Sequence, residues 1–280
     1  MKNSHNFCWG EAFLQFLHFK RNDPTLADMR VPVTDNNIVK QIQAYFEIQT
    51  RSINRPTAEL KRAHKNMYKA SQTLMNYGWF AFGSVTDYIE KLLQSWPQLS
   101  NYVGWTAHIV TKHVNTCPVL HHRQHLIHTA QIGANEGIHN IADLANAINN
   151  NKTLTLQHKC NTCDLELQTS EILIDSLKKI LIFDTYNINV QQTGTLNYAS
   201  GKTTQIIQNY TYYLTAQIVY CHDHFWLLLK DGNNYWKLET KIEPGEQYVA
   251  QPITEQAYIK PTCHKHFQDA KPVIQIWMRD

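Results

Sequence analysis

Cys8 opens a run in which Trp9, Ala12, Phe13, Phe16 and Leu17 recur every three or four residues, the spacing of one helical face. A thiol in the first helical turn lies beside unpaired backbone amides and the positive end of the helix dipole. Both favour the thiolate and predict a pKa lowered from about 8.5 toward neutrality. Asn6 lies just before the run and is the expected cap. A thiolate nucleophile also needs an imidazole to take its proton and return it to a leaving amine, and a polar group to orient that imidazole. His224 stands at the start of an apolar run that reads as a strand, where a side chain can point into a cleft; His222, two positions earlier, shares the same strand face and is the reserve. Glu239 and Thr240 end the following run. A one-residue slip turns a side chain to the other sheet face, so only one of them can orient His224, and Glu239 is the favoured carboxylate.

Two other groups have the residue types of metal sites. Cys160-Asn161-Thr162-Cys163 has the two-residue gap that lets two thiolates meet one tetrahedral zinc, but no further cysteine follows before Cys221. The pair is half a site, with His158 or a distant cysteine needed to complete it. His121, His125 and His128 fit one helical face, within a stretch from His108 to His139 that is rich in histidine. It lacks neighbouring carboxylates and any His-Glu-x-x-His pattern, so a surface rich in Asn, Gln and His is the simpler expectation. Cys263-His264-Lys265-His266 reads as an exposed loop after Pro261.

These groups must be positioned by a folded chain, and the composition supports one. Apolar residues make up 43% of the 280 positions and charged ones 18%, which separates the chain from disordered sequences. A net charge of +3 without blocks of like charge provides no footprint for nucleic acid, and no apolar run approaches the ~18 residues of a membrane span. The absence of a signal-peptide pattern and the sparse cysteines fit an intracellular setting, nucleus or cytoplasm. Helical spacing recurs at Ile38, Val39, Ile42 and Phe46 after a possible Asp35 cap, from about Ala58 to Met75, and at Val85, Ile89, Leu92 and Leu93 between Ser84 and Pro97. From about Thr153 the pattern turns to short β-branched and aromatic runs. Asp231-Gly232-Asn233-Asn234 joins two of them as a hairpin, and Pro272 to Arg279 reads as a closing strand. The expected architecture is α+β: one domain over 1–280, with a helical lobe at 1–150 and a β-rich lobe at 151–280.

Asn3-Ser4-His5-Asn6-Phe7-Cys8-Trp9, followed by Ala12 to Leu17, resembles the cysteine box of the ubiquitin-specific protease superfamily, a papain-like group of cysteine peptidases. His224-Phe225-Trp226, then Asp231-Gly232 and Trp236, is similar to its histidine box. Trp9 after the nucleophile and Ile274-Gln275-Ile276-Trp277-Met278-Arg279 at the end look most like the ubiquitin-specific peptidase-like SUMO isopeptidase branch. The resemblance implies a helical thumb on an antiparallel palm, with fingers reduced or absent. It implies hydrolysis of the bond between a modifier's C-terminal Gly-Gly and a lysine side chain, with SUMO or ubiquitin and their conjugates as partners. Cys8 would be the nucleophile, His224 the base and Asn3 an oxyanion donor. Trp9, Phe225 and Trp226 would wall a channel narrow enough for two glycines. Counted from Trp236, the orienting residue of the family falls on Thr240; counted from Tyr235, it falls on Glu239. Such catalysis needs no cofactor, and Cys160 and Cys163 are the candidate ligands of a structural zinc.

Overall fold

Every residue from Trp9 to Leu17 is buried, so the first helix is wrapped on all sides along its first half rather than presenting one apolar face to a core. The structure, a computed structural model, describes residues 7–51, 57–76, 84–112, 121–127, 129–130, 145, 148–149, 154–158, 168–184, 203–221, 224–239, 250–263, 268–269 and 271–279. Helices are α1 (Cys8–Lys20), a 3-10 helix (Pro24–Arg30), α2 (Asn37–Arg51), α3 (Ala58–Met75), α4 (Val85–Ser95), α5 (Pro97–Ser100) and α6 (Glu255–Ile259). Strands are β1 (Trp105–Lys112), β2 (His121–Ile127), β3 (Thr129–Ala130), β4 (Leu154–His158), β5 (Gln168–Leu177), β6 (Ile180–Asp184) and β7 (Thr204–Ile207). They continue with β8 (Tyr210–Cys221), β9 (His224–Asp231), β10 (Asn234–Glu239), β11 (Ala250–Ile253), β12 (Thr262–Cys263), β13 (Gln268–Asp269) and β14 (Lys271–Arg279).

The chain forms two units, Met1–Tyr102 with Thr215–Ile274 and Val103–Leu214 with Gln275–Asp280. In the first, the helices begin where their local chemistry places them. Thr57 accepts from the Leu60 amide at 3.0 Å and Ser84 from the Asp87 amide at 3.2 Å, satisfying amides that the helices leave free. At α2 the cap is Asn36 rather than Asp35: its Oδ1 accepts from the Ile38 amide at 3.1 Å. α4 buries Val85, Tyr88, Ile89, Leu92 and Leu93, which include the four residues expected on its inner face. Strands run in the order β11-β10-β9-β8-β14. β8 is buried continuously from Leu214 to Val219, as a strand covered on both faces must be, and α1 packs on β9. Gly232, at φ 57°, supplies the left-handed turn residue between β9 and β10.

The second unit carries strands over much of the stretch expected to be helical. β1 pairs with β2 and β5, and β4 with β5, giving a four-stranded antiparallel sheet in the order β2-β1-β5-β4. His121 and His125 therefore lie on β2 and not on a helix, and they lose the i, i+4 relation that made them a candidate metal face. β3 adds in parallel to β6, whose five residues are all buried, and β7 pairs with β8. Among the described residues no helix is long and apolar enough to cross a membrane.

Candidate active site

The first turn of α1 is anchored from its N-terminal side. Phe7 occupies the cap position, with no side chain capping the helix, and its carbonyl accepts from the Gly10 and Glu11 amides at 3.0 Å each. Its ring meets those of Trp9, Tyr68 and Tyr88 edge-on at centroid distances of 4.9, 5.4 and 5.4 Å. The same ring lies across Gly10, where a Cβ would collide with it. Phe7 thus holds Cys8 in place from the preceding position, the place in the chain where the Asn6 cap had been expected to act.

Cys8 is the free cysteine among the described residues and is half-buried, whereas Cys221 is disulfide-bonded. Burial pushes the Cys8 thiol up, and the charge of Glu11 adds to the rise. The backbone amide of Phe225, with those of Trp9 and Cys8 itself, works the other way without overcoming burial. The resting thiol is therefore above its ordinary value, which corrects the lowered one expected at a helix start: removal from water outweighs the dipole. α1, which carries Cys8, packs on β9, whose second residue is Phe225.

His224 begins β9, and its Nε2 is hydrogen-bonded to Glu239 Oε1 at the end of β10. Glu239 lies opposite Trp226 in the ladder, so it shares a face with Trp226 and with His224 two residues earlier. A carboxylate accepting at Nε2 makes that nitrogen the donor and leaves Nδ1 of the neutral ring with its lone pair. The other carboxylate oxygen, Oε2, lies 3.6 Å from Lys237 Nζ, which also stands 4.5 Å above the Trp226 ring centre. Lys237 was not anticipated; its i, i+2 relation to Glu239 on one strand was the available signal.

Of the residues expected to wall a channel, Trp9 and Trp226 are buried, Trp9 against Phe7 and Tyr88. Phe225 is half-buried beside Tyr220 at 5.0 Å between ring centres. Asn3, His222, Thr240, Cys160 and Cys163 lie outside the described residues. Among the described residues no group of three metal-ligating side chains converges.

A second buried acid and imidazole accompany the thiol. Glu11, one helical turn after Cys8, is hydrogen-bonded to His64 Nε2 of α3, and both are buried. Burial works against the His64 imidazolium, yet the charge and hydrogen bond of Glu11 prevail and hold its pKa above the ordinary value. The Cys8, Glu11 and Gln15 spacing was visible in the sequence; its partner in α3 was not.

No protein-family model and no curated protein matches the sequence. The solved pseudoubiquitin hydrolase of Saccharomyces cerevisiae Pan2 superposes with a TM-score of 0.66 at 14% identity, over 97% of this chain and 82% of that one. The chain has a ubiquitin-hydrolase-like fold. Helices on an antiparallel palm, expected from the α+β pattern, are thus a ubiquitin-hydrolase arrangement. The Pan2 pseudoubiquitin hydrolase-RNA exonuclease module in complex with A7 RNA matches at a TM-score of 0.61 and 13% identity, over 100% of this chain and 53% of that one. This chain spans about half the length of that module. At such identities the ubiquitin-hydrolase likeness is one of fold.

Proposed function

We propose that the chain is a thiol isopeptidase that cleaves a ubiquitin-like modifier from lysine side chains inside the cell. The observation that carries it is the His224–Glu239 pair on the strand whose Phe225 amide reaches the Cys8 thiol. Nδ1 of His224 takes the thiol proton, and the thiolate attacks the isopeptide carbonyl. As the tetrahedral intermediate collapses, the imidazolium returns the proton to the departing lysine amine, leaving a thioester. Water, deprotonated by the same imidazole, then releases the modifier's carboxylate. Glu239 orients the ring and stabilises its charged form, and Asn3 supplies an oxyanion donor worth about 3 kcal/mol. No step calls for a metal or cofactor. SUMO is the favoured modifier, from the resemblance of the Trp9 and Ile274 to Arg279 segments, with ubiquitin as its alternative.

SUMO and ubiquitin carrying a C-terminal electrophile test this directly. A covalent adduct with wild type, lost in Cys8→Ser and kept in Cys263→Ser, is expected. The raised Cys8 thiol and the pseudo-hydrolase name of the similar solved structures favour a second reading, a silent modifier-binding module. Modifier binding without any adduct would establish that reading in place of the first.

A further inference from the structure

Cys8 and Glu11 are three residues apart on α1, a spacing that sets Cβ atoms about 5–6 Å apart on one helical face. A carboxylate so placed opposes a thiolate, and here it is buried, where water screens it little. His64 reaches the same carboxylate from α3 and is buried with it. Among the described residues, the other ionisable groups around the pair include phenols, uncharged near neutral pH: Tyr45 of α2, 5.5 Å from the His64 ring, Tyr68 of α3 and Tyr88 of α4, both of which feel Glu11. From β9 the titratable neighbour is His224, next to Phe225. Among the described residues, the counter-charge for Glu11 comes from His64, which is hydrogen-bonded to it.

We infer that His64 is a positioning residue that neutralises Glu11 and thereby governs how readily Cys8 forms its thiolate. With His64 protonated the pair is neutral and the thiolate forms beside no net charge. Once that proton is lost, a negative charge remains one turn from the sulfur and holds the thiol protonated. Glu11 and His64 take part in no bond-making step; they act through Cys8. The inference rests on Cys8 as the proposed nucleophile.

Alkylation of Cys8 by iodoacetamide, followed across pH by mass spectrometry of the Cys8 peptide in the full chain, tests it without any modifier. Glu11→Gln keeps an acceptor for His64 but removes the charge; it is expected to move the midpoint of the profile down and to raise the rate about tenfold at pH values where His64 has lost its proton. His64→Gln is expected to slow alkylation by a similar factor at pH values where His64 carries its proton, and the double variant to match Glu11→Gln alone, because His64 acts only through Glu11. An unchanged midpoint in Glu11→Gln would overturn the inference even if His64→Gln did not fold. An equal effect of His64→Gln with and without Glu11 would also overturn it, since a purely structural role predicts that result. Failure of the electrophilic probes alongside the expected alkylation shifts would remove the isopeptidase and leave the Glu11–His64 control intact.

Discussion

The imidazole of His224 and the carboxylate of Glu239 meet diagonally across the β9–β10 hairpin, because the ladder sets Glu239 opposite Trp226 rather than opposite His224. The diagonal neighbour of an antiparallel pair lies within reach of a long side chain, and Glu is long enough to span it. Side chains alternate between the two faces of β10, and Glu239 lies on the face of Trp226 and His224.

Glu239 supports His224 through both a hydrogen bond and a charge. Glu239→Gln retains an acceptor for Nε2–H and removes only the charge, whereas Glu239→Ala removes both. Adduct formation with the electrophilic modifier is expected to slow about tenfold in the first and about a hundredfold in the second. Equal rates in wild type and Glu239→Ala would show that the imidazole needs no carboxylate.

Lys237 holds the second oxygen of Glu239 while its ammonium covers Trp226. Lys237→Met keeps the stem and loses both contacts. Each is partly exposed, so a loss of about 1 kcal/mol in unfolding free energy is expected, read from denaturant midpoints. Lys237→Arg should recover most of it.

Gly10 has no room for a side chain, since the Phe7 ring above it is clamped by Trp9, Tyr68 and Tyr88. Alanine gains about 1 kcal/mol in helix propensity but must displace a packed ring, at about 1–3 kcal/mol. Gly10→Ala is therefore expected to lower stability by about 1 kcal/mol in thermal or urea unfolding. It is also expected to slow Cys8 alkylation, because the first turn of α1 must shift.

Two histidines give stability opposite dependences on pH. His18 is lowered to about 4, by burial first and then by the charge of Arg21, with the Phe46 backbone opposing. Unfolded, it takes up a proton near pH 6.5, so its contribution is fully present above that value and is lost as pH falls toward 4, amounting to about 3 kcal/mol. His64 is raised, so its contribution is fully present below about pH 6.5 and is lost as pH rises through its folded value. Urea midpoints measured between about pH 4 and 9 should fall at both ends. His18→Gln should flatten the acid limb alone.

The local sequence determined what depends on neighbours along the chain. α3 has the bounds read from the apolar spacing after Pro56, α4 lies between its Ser84 cap and Pro97, and Asp231-Gly232 makes the β9–β10 turn, because caps and turn residues satisfy backbone groups within a few positions. That hairpin also made His224 and Glu239 legible as partners. Tertiary structure decided what depends on distant residues. From Trp9 to Leu17 α1 is buried all round rather than on one face, and burial turned the expected acid thiol at Cys8 into a raised one. β1 and β2 form where helix was expected, since pairing with a partner as far along as β5 overrides local spacing. Glu11 and His64 are 53 positions apart, so only packing of α1 against α3 could join them, and no periodicity along the chain records a charge pair of that kind.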